Sequence, residues 1–526
     1  MSLDFNRTIS EDTLHAYLSR ALSLCNELIS PTMEDDLRMI ANLKALFLGR
    51  AIYPFEWVNW QTGYDGDEAG MHARAKDFIG RCHAIDPHII VQGICAEATF
   101  PCVNLIPVPA WVFEEYGQPV EARNFCLEEM LHPNNPPAYV WENQELNAYV
   151  LDLVRPETQR WMYYRCRTLI DAGCEAIHMG QPHWYAEHDH GARILEQLLQ
   201  RVRSYARRAA RRGMVLLDAH THGIARNQHL LFDFHARPIS AVSWREKPYR
   251  IILQLKGSSM GGISPSGWSC RSLPYLIEID NWGGYSIDPA DWHDLDKRAS
   301  RRWGWDDIAW FAHQPRSERD HFLQYAHRWL RLQDPAAHFQ MPARRLLHHA
   351  AIITPDGTRI TDYHANRSSP ACPLGFDQED TIARLWAEPD PDWLGAWDRR
   401  LNGRQPALLT FLGQNVPLPV VLVGEVQRVL GGQPGDTVSP YSRLVHQGAG
   451  RFELAALIPW AGEYPFTVAL GGTMTEVINQ AGRPGGRPFL LCVPQDNTRV
   501  RFSLDYELKG LQAIDDAGNS LLKAED

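Results

Sequence analysis

The chain has 526 residues, 44% of them hydrophobic and 22% charged, which fits a soluble globular protein of two or three domains. A formal net charge of −11 argues against a nucleic-acid surface, and no apolar run is long enough to span a bilayer. Ten cysteines without a CxxC pair or regular spacing argue against a disulfide scaffold and a structural zinc.

The N-terminus, MSLDFNRTISEDTLHAYL, has no charged segment leading into an apolar core, so a cytoplasmic protein is expected. A Ser-Leu left over from cloning would hide a removed leader. Residues 10–45 predict helix, with Leu14, Leu18 and Leu22 four apart and Met39 and Leu43 repeating the spacing. Eight short apolar runs then follow, as buried parallel strands require: 45–55, 88–97, 148–153, 174–180, 214–220, 250–257, 274–284 and 307–314. Helical segments lie between many of them. One is PETQRWMYYRCRTLIDAG, with proline in the first turn and glycine at the end. In RVRSYARRAARRG, Val202, Tyr205 and Ala209 share a face away from the arginines, as on a solvated outer helix.

Strands alternating with helices predict an α/β fold, a (β/α)8 TIM barrel over residues 1–335 with a long insertion at 98–147. No glycine-rich phosphate loop follows the first run, which disfavours a doubly wound sheet. Residues 336–410 read as a connector. From 411 to 526 the pattern changes to period two, broken by Gly, Pro and Asp turns, which predicts a small immunoglobulin-like β-sandwich.

Barrel active sites form at strand C-terminal ends. The predicted ends supply Tyr53 and Glu56, then Glu97, then His178, Gln181, His183 and Trp184. Asp218, His220 and His222 follow, then Lys256, then Asp280, Asn281 and Trp282, and finally His313. Glycoside hydrolysis needs two carboxyl groups, about 5–5.5 Å apart for retention or about 6.5–9.5 Å for inversion. One of them must hold a proton near neutral pH. Asp218 and Asp280 are the expected pair and Glu97 the reserve. Glu278, two residues before Asp280, points the same way but deeper. The polar residues would bind sugar hydroxyls, and the tryptophans among the eighteen that sit beside strand ends would stack on rings or fill the core.

The segment LDLVRPETQRWMYYRCRTLIDAGCEAIHMGQ resembles a stretch of TIM-barrel glycoside hydrolases and their relatives. In those, a strand ending in Asp leads to a Pro-started helix and then to a strand reading approximately GIHFD. The matching residues are Asp152, Pro156, Glu157, Gly173, Ala176, Ile177 and His178. The resemblance implies a barrel that hydrolyses a carbohydrate. This chain departs from the pattern where Met179, Gly180 and Gln181 follow His178, so no nucleophile carries over to that place.

Two alternatives remain open. His220 and His222, two apart on a strand end, could share a divalent metal such as zinc in an amidohydrolase-like site. That family carries its HxH on the first strand, whereas here it falls on the fifth. The other alternative is a non-catalytic saccharide-binding or scaffold barrel. The expected partner is a small-molecule or oligosaccharide substrate, with no nucleic acid, no membrane and no cofactor, and homo-oligomerisation is left open.

Overall fold

The computed structural model describes residues 3–57, 66–132, 137–140, 147–244, 247–255, 257–280, 307–347, 351–388, 408–411, 414–448, 450–480, 486–508 and 510–523. Eight strands close into a barrel: β1 (Ala21–Ser23), β2 (Phe47–Ile52), β3 (Ile90–Ile94), β4 (Ala176–His178), β5 (Leu216–His220), β6 (Phe234–Pro238), β7 (Tyr275–Glu278) and β8 (Ala337–Pro342). Each pairs in parallel with its sequence neighbours, and β1 pairs with β8 to complete the ring. The fold is the (β/α)8 barrel that the alternating pattern predicts.

Four strands sit elsewhere than expected. The first, β1, lies within the stretch expected as helix, between α1 (Glu11–Leu18) and α2 (Met33–Leu43). Its three residues are all buried, too few to show a period among flanking leucines. The 148–153 run is not a barrel strand, because Asn147–Val150 pairs antiparallel with Ala98–Thr99 inside the insertion. The 250–257 run forms a hairpin instead, Lys247–Leu253 against Ala241–Trp244. Its place in the barrel is taken by Phe234–Pro238. Finally, Asp307–His313 is a helix, and the eighth strand comes from Ala337–Pro342, inside the expected connector. Ile308, Trp310, Phe311 and Ala312 are all buried, so that apolar run has no exposed face to reveal its helical period.

The helices between strands cover the barrel. They include α3 (Glu68–Ile85), α4 (Pro156–Ala172) and α5 (Arg193–Ala209). On α5, Leu195, Leu198, Leu199, Val202 and Ala206 are buried, as its amphipathic pattern requires. Among the described residues no helix is long and apolar enough to cross a membrane.

After the barrel comes an antiparallel sheet of eight strands: β9 (Val420–Gly424), β10 (Arg443–Gly448), β11 (Arg451–Ile458), β12 (Gly462–Leu470), β13 (Thr473–Ile478), β14 (Phe489–Val493), β15 (Thr498–Asp505) and β16 (Gly510–Ile514). Their order is β13-β12-β9-β10-β11-β15-β16, with β14 also on β12. The sheet curls into a sandwich around Leu422, Phe452, Phe466, Val468, Leu491 and Phe502. It docks on the barrel through Trp460, whose indole stacks on His321 at 4.2 Å, and through Tyr441, whose hydroxyl donates to the Leu255 carbonyl at 2.9 Å.

Candidate active site

Polar side chains converge where β1, β2, β3, β4, β5, β7 and β8 end. Two of them break apolar strands. Arg50, in FLGRAI, adopts φ 58°, in the left-handed region, where β2 loses its register between Leu48 and Ile52. Such a backbone costs about 1–3 kcal/mol and marks a site held by its surroundings. Here it is held by Gln92, in IIVQGI, whose Oε1 accepts the Arg50 N–H at 2.9 Å. The same amide donates from Nε2 to Asp218 Oδ1 at 2.6 Å. The second Asp218 oxygen lies 2.7 Å from His178 Nδ1.

On the other side of the mouth stand Glu278 and Asp280, with two guanidinium groups. Arg345 reaches Asp280 Oδ1 at 2.8 Å and Glu278 Oε2 at 3.3 Å, and it donates to Ser23 Oγ. Arg50 donates to the same Asp280 oxygen at 3.1 Å and forms a short ion pair with Glu278. His220 bridges the two halves. Its Nε2 is 2.6 Å from Arg50 and 2.8 Å from Glu278, and its ring meets that of His178 edge-on at 4.7 Å.

All three carboxylates are at most 3% exposed, so their partners set their charge. Burial, the largest influence, raises the Glu278 pKa and Asp280 adds to it, but Arg50 and His220 together hold the carboxyl below its ordinary value. Arg50 is itself disfavoured by burial and is held cationic by Glu278 and Asp280. Burial lowers the His220 pKa, with Arg50 and His178 acting in the same direction. Glu278, 2.8 Å from the same nitrogen, acts in the opposite direction without reversing it. The two halves therefore differ: Asp280 faces two guanidinium groups, whereas Asp218 is paired with one imidazole, that of His178, and one amide, that of Gln92.

No family model matches the chain, and no curated protein matches it. Among solved structures, a pullulanase from Bacillus acidopullulyticus aligns at 23% identity over 19% of this chain and 13% of its own, with a TM-score of 0.16. The α-galactosidase TtGalA from Thermus thermophilus aligns at 13% identity over 44% of this chain and 46% of its own, with a TM-score of 0.26. An α-amylase from Anoxybacillus aligns at 9% identity over 97% and 99%, with a TM-score of 0.35. The chain thus spans less than half the length of the first two. Scores this low carry no inference about activity.

Of the residues expected at the mouth, Asp218, Asp280, His178 and His220 join one network. Tyr53 is half-buried, lies 3.2 Å from Cys25 Sγ, and has its phenol pushed up by burial. Glu97 comes from the end of β3 and is buried. It also explains the missing carboxylate of the glycosidase pattern. Gly180 has φ 65°, and a Cβ there would fall 2.1 Å from Glu97 Oε2, so the geometry admits only glycine. Gln181 is buried, whereas His183 is exposed and Trp184 half-buried.

Others do not join the network. Glu56 forms a short ion pair with Arg165 and accepts from Thr99, which ties the insertion to the barrel. His313 ends a helix rather than a strand, its Nδ1 2.9 Å from the Ala309 carbonyl. His222 turns away from His220 and packs on Arg237, so the HxH does not form one pair of ligands. Lys256, Asn281 and Trp282 lie outside the described residues.

Among the described residues, His220, Glu278 and Asp280 have ligand atoms within 4.8 Å of one another. Arg50 and Arg345 already neutralise both carboxylates, so a dication there would sit against two guanidinium groups. The set does not fit a divalent metal. A cavity of about 870 Å³ lies away from the strand ends, between Arg328 and Arg331 on the barrel side and Arg499 and Asp516 on the sandwich. The converging chemistry, not the volume, locates the site.

Proposed function

We propose that the chain is a glycoside hydrolase whose acid–base work is divided between the two halves of the barrel mouth. Asp280, flanked by Arg50 and Arg345, stays ionised and serves as nucleophile or base. Asp218 with His178 holds the mobile proton and delivers it to the leaving oxygen. The observation that carries this is the asymmetry of partners: two fixed cations on one carboxylate, and an imidazole within hydrogen-bond distance on the other. Paired carboxyl groups need that separation of charge states. The Gln92 amide, bonded to both Arg50 and Asp218, holds the halves at a fixed spacing.

The test is hydrolysis of a panel of aryl α- and β-glycosides. Turnover of at least one is expected. Asp280→Asn and Asp218→Asn should each lower kcat by about 10²-fold or more, the range of a lost acid–base group. His178→Gln should move the basic limb of the pH–rate profile, which reports the proton donor, and leave the fold intact. Undiminished activity in Asp280→Asn would sink the assignment. Saccharide binding without turnover across the panel would favour a binding barrel instead.

A further inference from the structure

Three side chains that the barrel mouth does not use meet on the seam between the insertion after β3 and the loop after β4. His132 follows the short helix Leu127–Met130, Asp152 follows Asn147–Val150, and His188 follows the helical turn Pro182–Tyr185. Their ligand atoms lie within 4.8 Å of one another. Asp152 is 2% exposed and is fixed from three sides. Its N–H donates to the Met130 carbonyl at 2.9 Å, its Oδ1 accepts from Val154 N–H at 3.2 Å, and the next residue, Leu153, donates to the Tyr185 carbonyl at 2.7 Å. That leaves Oδ2, sealed from solvent, facing His188 Nδ1 at 3.3 Å without an aligned hydrogen bond. The His132 and His188 rings stack at 4.3 Å with 15° between their planes.

We propose that His132, Asp152 and His188 bind a divalent transition ion, with zinc the best fit to two imidazoles and one carboxylate. An imidazole binds metal in its own plane, so two parallel rings cannot both reach one ion. His188 is exposed, and a tilt of its ring brings its nitrogen round at little cost. Water completes the fourth position. The ion would staple the insertion to the loop that carries Gln181 and Trp184, so this wall of the mouth would be fixed by metal. Because the imidazoles bind only as neutral rings, affinity should fall in acid.

The experiment uses the full chain stripped of metal and titrated with Co²⁺, whose visible d–d absorption reports ligation by the protein, followed by Zn²⁺ as competitor. Saturable uptake of Co²⁺ with a d–d band, displaced by Zn²⁺, is expected. His188→Ala and His132→Ala should each weaken binding by more than about tenfold, which is the cost of losing merely an outer partner of a ligand. Because His188 is exposed, its variant should melt like the metal-free parent, and it decides the matter alone if His132→Ala does not fold. Absence of the band, or full affinity in His188→Ala, overturns the site.

Discussion

Replacing Arg345 with methionine should cost about 3–5 kcal/mol of stability, the price of stranding buried charge when one partner of an ion pair is removed. Arg345 is 1% exposed and touches both Glu278 and Asp280. Without it Arg50 alone faces two carboxylates in a medium that solvates neither. The deficit should depend on pH with a definite sign. Glu278 has a folded pKa below its unfolded one, so its contribution is present above the unfolded value, about 4.3, and is lost as pH falls through the folded one. The variant loses part of that depression. Its deficit should therefore be greatest near neutrality and shrink toward about pH 4, where protonation relieves the unpaired charge. Denaturant midpoints of both proteins across this range measure it. The double variant Arg345→Met with Glu278→Gln should recover part of the loss, because the two sites share one network. A deficit under about 1 kcal/mol, the size of an exposed pair, would mean that water reaches this network after all.

The barrel was legible in the sequence wherever a strand was long enough to stand out. The runs at 45–55, 88–97, 174–180, 214–220 and 274–284 contain β2, β3, β4, β5 and β7, and with them Asp218, His178 and His220 at the right ends. The misplacements have one cause. An apolar run reports burial, not partner. Asn147–Val150 and Lys247–Leu253 are strands whose hydrogen bonds go to the insertion and to a hairpin, whereas Ala21–Ser23 and Phe234–Pro238 enter the barrel with little or no run of their own. Half of the site was hidden for the same reason. Arg345 follows β8, which was not seen as a strand, so nothing placed it near Asp280. Arg50 and Gln92 carried a usable signal as lone polar residues inside apolar strands, where an unpaired group would be costly and a partner is therefore implied. The HxH shows the opposite error. Two histidines two apart would share a face only if the strand continued, and β5 ends at His220, which frees His222 to turn toward Arg237.

Acid should destabilise this protein well before its carboxylates are protonated, because it stores neutral histidines where an imidazolium has no place. His235 and His327 are 0% and 6% exposed, and burial, aided by Arg237 and Arg331 respectively, pushes each down to about 3. The contacts agree with a neutral ring. Arg331 donates toward His327 Nε2 at 3.4 Å, and His235 Nδ1 meets the Ser259 hydroxyl at 3.1 Å. In the unfolded chain both titrate near 6.5, so below that pH the unfolded state binds two protons that the native state refuses until about pH 3. Stability is unaffected well above 6.5 and falls with pH below it, by about 1.4 kcal/mol per unit for each ring. By about pH 4.5 the two together should cost about 5 kcal/mol, a large share of what a domain has to spare. Native carboxylates held down by arginines add a loss of the same sign at lower pH, so the total slope does not identify the histidines. His327→Gln does, since it keeps an acceptor for Arg331 and removes the titration. Its stability should fall with pH by one proton's slope less than the parent's between about pH 6 and about pH 4.5. Parallel curves would show that His327 takes up a proton in the folded protein.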